Sequence, residues 1–199
     1  METLLLARHG FAVSNRDGTA SCTRPGEGLT QEGVEQARVL GTALVDEPVD
    51  LGVASELART RETLELAVGG RAVARIVVPE LNEIDFGSFD GGPLVEYRAW
   101  AAAHSPDLRA PGGGESRADA AARYARGLLR LLERPESTIL VVGHALSIRY
   151  VVDAASGLVP APLMAPVDHA AVHRLTAAEA EAAAELLGDW SRAPRFREA

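Results

Sequence analysis

The chain has 199 residues, about one domain's length, of which 47% are hydrophobic and 24% charged; that supports one sizeable core and argues against disorder. Twenty basic residues stand against twenty-eight acidic ones, a net charge of −8, and every basic residue is arginine. The missing lysine excludes Schiff-base, P-loop and lysine general-base chemistry, and the acidic balance argues against a nucleic-acid partner.

The apolar run Thr3–Ala7 is read as a first strand. It has no basic segment before it and is too short for a signal peptide or a membrane span. Leu29, Gly33, Ala37, Leu40 and Leu44 then recur every three or four residues, one face of a helix, with Thr30 placed to cap it. Leu51–Ala54 reads as a second strand, followed by a helix from about Glu56 to Val68 that stops at Gly69-Gly70. Arg75–Val78 is a third strand. A helix follows Ser116, where Ser-x-x-Asp resembles a capping box, and runs to about Glu133. Thr138–Val142 is a fourth strand, with a helix from near His144 to Gly157; Ala170–Leu175 is a weaker fifth, and Ala177–Leu187 reads as helical.

Strands alternating with helices predict an α/β fold, three layers α/β/α around a mostly parallel central sheet. With no internal repeat and no dividing linker, residues 1–199 are read as a single domain, with functional loops at 11–28, 82–93 and 104–116. The single cysteine, Cys22, excludes an internal disulfide and a Cys-rich zinc site and points to a reducing compartment. The expectation is a soluble, cytoplasmic protein.

Two strands end alike. The first delivers Arg8-His9-Gly10 and the fourth delivers Gly143-His144-Ala145. Ligands bind outside the carboxyl ends of parallel strands, so both histidines are expected on one functional edge, where glycine lets backbone approach a ligand. After the second strand, Arg59 falls in the first turn of a helix, where unpaired N–H groups suit an oxyanion. Beyond the third strand, Glu83 and Asp85 sit among Ile84, Phe86 and Phe89 on a glycine-bounded loop. A carboxyl lodged there would have its pKa raised by desolvation, as a general acid requires.

These residues resemble the histidine phosphatase superfamily, of the phosphoglycerate mutase-like branch. The matching pieces are Arg8-His9-Gly10 with Asn15, Leu29-Thr30-x-x-Gly33-x-x-Gln36-Ala37, and Ser55-x-Leu57-x-Arg59-Thr60-x-x-Thr63. Glu83 with Phe86-Gly87 and Asp90-Gly91, Gly112-Gly113-Gly114-Glu115-Ser116, and Gly143-His144 follow in the family's order. The resemblance implies that His9 takes up a phosphoryl group on a ring nitrogen. It implies that Arg8, Arg59 and His144 hold the phosphate oxygens with Asn15 as a neutral donor, and that Glu83 is the general acid/base. It implies no metal and no cofactor. Phe11, Ser21, Cys22 and Ala145 complete the candidate substrate contacts.

The chain departs from the family after Arg-His-Gly, where Phe11 and Ala12 replace a usual Glu or Gln and Thr or Ser. Ile84-Asp85-Phe86 replaces the Arg-His-Tyr of typical mutases. Both changes favour hydrolysis of a small phosphate ester over isomerisation. A phosphoglycerate-type mutase and a non-catalytic phospho-ligand-binding protein on the same fold are the alternatives. No nucleic acid or membrane is expected as partner, and self-association is left open. His169 and His173 have the i, i+4 spacing of a zinc pair on a helix. Their segment looks extended, however, which would put them about 13 Å apart. Asp85 and Asp90 are read as loop-shaping residues.

Overall fold

The computed structural model describes residues 1–198. Its strands are β1 (Thr3–Arg8), β2 (Leu51–Ala54), β3 (Ala74–Val77), β4 (Thr138–Gly143) and β5 (Val172–Thr176). Its helices are α1 (Val13–Arg16), α2 (Gln31–Ala43), α3 (Ala58–Val68), α4 (Leu94–Ala103), α5 (Arg117–Leu132), α6 (Ala145–Ala155) and α7 (Ala177–Arg192), with short 3-10 turns at Pro79–Leu81 and Gly87–Phe89.

The strands form one sheet in the order β3-β2-β4-β1-β5. β1, β4, β2 and β3 pair in parallel, and β5 closes the edge antiparallel to β1. Strands covered on both faces read as continuous apolar runs, which is why β2 and β4 are buried throughout. Successive side chains go to opposite faces. Leu4, Leu6, Val53, Ile139 and Val141 pack with Tyr124, Leu128, Ile148 and Leu187 of α5–α7. Leu5, Ala7, Ala54, Leu140 and Val142 pack with Leu40, Leu64 and Val68 of α2 and α3. The result is a three-layer α/β/α sandwich in which each fully buried leucine contributes about 1.5–3 kcal/mol.

The register aligns Arg8 with Gly143 and Ala54 with Val142. The parallel strands therefore release His9, His144 and the segment leading to α3 along one edge. Thr30 caps α2 by accepting from Gly33 N at 3.1 Å, and Ser116 with Asp119 forms the capping box of α5.

Four features differ from the sequence reading. The 11–28 segment contains the single turn α1, and the weak fifth strand begins at Val172 and runs antiparallel to β1 as an edge strand of an otherwise parallel sheet. Helix α4 lies between the 82–93 and 104–116 loops; only Tyr97 and Ala101 of its ten residues are buried, too narrow a stripe to give a clear apolar period. The last helix extends to Arg192. Among the described residues, no helix is long and apolar enough to cross a membrane.

The Arg8-His9-Gly10 turn is pinned by a close backbone approach to α2. A Cβ on Gly33 would lie 2.8 Å from Phe11 N and collide with the Phe11 carbonyl. Gly33→Ala is expected to destabilise the fold by about 1–3 kcal/mol, the usual cost of forcing atoms into packed space. A melting temperature equal to wild type would refute this.

Candidate active site

His9 leaves the end of β1 and is 3% exposed. Its Nδ1 lies 2.7 Å from the Gly10 carbonyl, which can only accept, so Nδ1 carries the proton and Nε2 the lone pair. Arg59 Nε donates to that Nε2 at 3.1 Å. Burial, reinforced by Arg59 and Arg8, holds the His9 pKa well below the usual histidine value. The ring is therefore neutral at physiological pH, with its Nε2 lone pair held in position.

Arg59 reaches His9 because α3 begins at Ala58, with Leu57 as its cap residue. Its guanidinium is 3% exposed; Nη2 donates to the Ser21 carbonyl at 2.9 Å and approaches His144 Nδ1 to 3.4 Å. Arg8 Nη1 donates to the Val167 carbonyl at 2.7 Å, and burial brings its pKa down to about 10, still charged at neutral pH. Among the described residues, Arg8 Nε and Arg59 Nη1 are buried without a hydrogen-bond partner. Orphaned buried donors of this kind cost about 1–3 kcal/mol each, so they mark a place for an acceptor. Asn15, Ser21 and Ala145 line the same cleft.

Glu83 enters from the segment after the 3-10 turn at Pro79–Leu81. Its Oε1 accepts from Ile84 N at 3.1 Å, and its Oε2 lies 3.8 Å from His144 Nδ1. Burial raises its carboxyl pKa above the ordinary value, against the opposing pull of Arg59. Arg123 of α5 anchors this stretch, donating to the carbonyls of Glu80 at 3.0 Å and Asn82 at 2.8 Å while paired with Glu115 at 2.6 Å.

His144 is fully buried, 5.3 Å from His9 between ring centroids. Its Nε2 and Ser55 Oγ are 2.9 Å apart, and Ser55 Oγ is 2.9 Å from Thr60 Oγ1. Burial, then Arg59 and His9, hold the His144 pKa well below the usual value. A neutral His144 takes its tautomer from this hydroxyl chain. Thr60 Oγ1 donates to the Leu57 carbonyl at 2.8 Å, so the Ser55 hydroxyl proton can go to Nε2, and the His144 proton then sits on Nδ1, facing Glu83. Ser55→Ala would leave Nε2 buried and unpaired, at about 1–3 kcal/mol. If that cost falls on the transition state, it corresponds to roughly a ten- to hundredfold loss in kcat/KM. An unaltered kcat/KM would refute the positioning role.

The structure thus brings Arg8, His9, Asn15, Ser21, Arg59, Glu83 and Ala145 to one cleft, with His144 directly behind. Two expected substrate contacts do not join them. Phe11 is held by its backbone, with N donating to Gln36 Oε1 and the carbonyl accepting from Thr30, so its ring turns onto His169 at 5.4 Å. Cys22 lines a separate basin beyond Glu83 and accepts from Phe86 N at 3.4 Å; burial pushes its thiol up to about 12, so it remains protonated. Asp85 accepts from Gly87 N, and Asp90 from Cys22 N and Thr23 Oγ1, bracing loops as expected.

Sequence reasoning missed His169, Arg98 and Arg117. His169 Nδ1 donates to the His9 carbonyl at 2.8 Å and so braces the turn that carries His9. His173 lies on β5 opposite Leu6. Arg98 and Arg117 line the cleft from α4 and α5. Nothing in their local spacing marks them; only packing of those helices over the sheet edge does. Among the described residues, no three His, Cys, Asp or Glu side chains are grouped to hold a metal ion.

The α-ribazole phosphatase of Salmonella typhimurium is 41% identical to this chain over 87 residues, which are 44% of the chain and 43% of that protein's length. A 2,3-bisphosphoglycerate-dependent phosphoglycerate mutase of Rhizobium meliloti is 32% identical over 209 aligned positions, covering 96% of the chain and 98% of its own. The crystal structure of the Shigella flexneri α-ribazole phosphatase superposes with a TM-score of 0.73 at 30% identity, over 86% of this chain and 89% of that one. The family model of the histidine phosphatase superfamily, branch 1, matches residues 4–189. With the sheet and the histidine–arginine cleft in the same chain, that match establishes that the protein belongs to the histidine phosphatase superfamily, branch 1.

Proposed function

We propose that this protein is a phosphatase that hydrolyses small phosphomonoesters through a phosphohistidine on His9. One observation carries the reading. His9 Nε2 is held as an unprotonated acceptor beside two buried donors, Arg8 Nε and Arg59 Nη1, that have no partner among the described residues.

In the first step, the Nε2 lone pair forms an N–P bond in line with the ester P–O bond that breaks. Glu83 gives its carboxyl proton to the departing oxygen. In the second step, water attacks phosphorus, its proton passes to the Glu83 carboxylate and the N–P bond breaks. Inorganic phosphate leaves and His9 is restored. The equatorial oxygens accept from Arg8 Nε, Arg59 Nη1, Asn15 and His144 Nδ1–H. The Ser55 hydroxyl, donating to His144 Nε2, supplies the tautomer for that last donor. Fixed donors and positive charge do here the work a metal ion does elsewhere.

The α-ribazole phosphatases among the relatives support a hydrolase. The Rhizobium meliloti mutase, which aligns over nearly the whole chain, favours a second reading, phosphoglycerate mutase-type transfer. The two share the phosphohistidine and differ in whether water or the bound product receives the phosphoryl group. Incubation with 3-phosphoglycerate is expected to give inorganic phosphate in excess of any isomer. Fast isomerisation with little free phosphate would establish the mutase. Absence of turnover across a broad phosphomonoester panel would point to a phospho-ligand-binding role.

A further inference from the structure

We propose that the substrates are phosphomonoesters carrying a second anionic group, which Arg117 and Arg98 receive. The proposal rests on the phosphoryl-transfer reading for the identity of the His9 end. It rests on the cleft itself for the other end.

The His9 cleft continues into a neighbouring basin: Arg8, Arg98, Arg117, Ala145 and Met164 line both, and the second is walled by residues 162–167. Four arginines, Arg8, Arg59, Arg98 and Arg117, face this joined space, and the one carboxylate lining it is Glu83. Among the described residues, none of the four is within 4.0 Å of a carboxylate oxygen. A phosphate dianion balances two of these charges. Glu83 contributes none while it is protonated for the first step. Positive charge is left over at the end away from His9.

Arg117 is the sharpest case. It is 6% exposed, and Nη1 donates to the Tyr150 hydroxyl at 2.9 Å while Nε is buried without a partner. Its phenolic neighbours do not neutralise it, because burial raises the pKa of both Tyr97 and Tyr150 and keeps them uncharged. On the same helix, Arg123 is also largely buried but has Glu115 at 2.6 Å. A buried charge is ordinarily paired. Among the described residues Arg117 has no carboxylate counter-charge within 4.0 Å, and it lines an open basin. A planar guanidinium there suits a carboxylate or a second phosphate. Arg98, exposed on α4 beside it, adds a second positive charge.

The test measures binding to the full chain carrying His9→Ala, so that turnover does not interfere. Matched ligand pairs are 2-phosphoglycolate against ethyl phosphate and 3-phosphoglycerate against glycerol 3-phosphate, by calorimetry. At least one acidic ligand is expected to bind about tenfold or more tightly than its neutral partner, the range of a charge-assisted hydrogen bond. That preference should fall to within about threefold when Arg117→Met is added and shrink measurably with Arg98→Met, a surface change that keeps the test valid should Arg117→Met misfold. Equal affinities within both pairs, no measurable binding of the acidic ligands, or a preference that survives the arginine substitutions overturns the proposal. If the wild-type chain releases no phosphate from any of the four while the preference stands, the hydrolytic reading fails and the second-anion subsite remains.

Discussion

His9→Ala is expected to abolish the acid-labile phosphoenzyme and to lower phosphomonoester hydrolysis by about four orders of magnitude or more, the scale seen when a covalent nucleophile is lost. No neighbouring group can take its place. His144 is committed through Nε2 to Ser55, and His169 donates its Nδ1 proton to the His9 carbonyl. Burial raises the Glu83 pKa, which keeps its carboxyl protonated more readily and makes it a poor nucleophile. The remaining cleft, with Arg8 and Arg59 intact, should still bind phosphate, so the loss should appear in kcat more than in KM. Quenching with labelled substrate, followed by acid and base stability of the adduct, reads the result directly. A phosphoenzyme that persists in the variant, or a rate within tenfold of wild type, would assign the nucleophile elsewhere.

Glu83→Gln is the second large effect, and its size should depend on the leaving group. An alkoxide cannot leave without a proton, so kcat/KM for an alkyl phosphate should fall by about 10²–10⁴, the range of general acid catalysis. p-Nitrophenolate leaves unaided, so its kcat/KM should fall far less. Hydrolysis of the phosphohistidine needs Glu83 as a base whatever the leaving group was. The variant should therefore accumulate phosphoenzyme from p-nitrophenyl phosphate and show a burst.

The pH dependence follows from the signs of the two shifts. Burial lowers the His9 pKa, so the acid limb, where Nε2 gains a proton, lies well below 6.5. Burial raises the Glu83 pKa, so the proton it must donate is kept to higher pH than for an ordinary glutamic acid and is lost above its folded value. The ratio of alkyl to p-nitrophenyl phosphate kcat/KM should decline with rising pH through that value in the wild type. In Glu83→Gln it should be flat. A sloping ratio in the variant, or leaving-group independence, would assign the acid to another residue.

Most of the sheet and the His9 end of the cleft were legible in the chain. β1, β2 and β4 are buried on both faces, so their composition announces them within a residue or so of their ends. Because function concentrates at the carboxyl ends of parallel strands, Arg8-His9-Gly10 and Gly143-His144 could be placed on one edge before any packing was known. Arg59 followed from the start of α3. Thr30 and Ser116 announced helix starts through capping, a purely local interaction.

Other features carried no local signal. α4 hides one narrow stripe, and β5 is largely exposed, so burial imposed no pattern on either. Phe11 reads as a candidate contact because it stands where the family usually has Glu or Gln after Arg-His-Gly, yet its ring packs on His169 and does not line the cleft. His169 lies 160 residues from His9 in sequence and meets it only because the chain entering β5 returns beside β1.

The all-arginine inventory determined from the outset that every fixed side-chain positive charge in this protein is a guanidinium, and the local motifs pointed to Arg8 and Arg59 as the pair beside His9. Periodicity and capping are interactions between near neighbours, so these properties are written in the order of residues. The pairing of charges is not. Arg117 and Arg123 sit on one helix and look alike in sequence, but folding brings Glu115 to one and leaves the other facing an open basin with neutral phenols. Which arginine is spent on structure and which is left for a ligand depends on contacts across the fold, and only the three-dimensional arrangement supplies them.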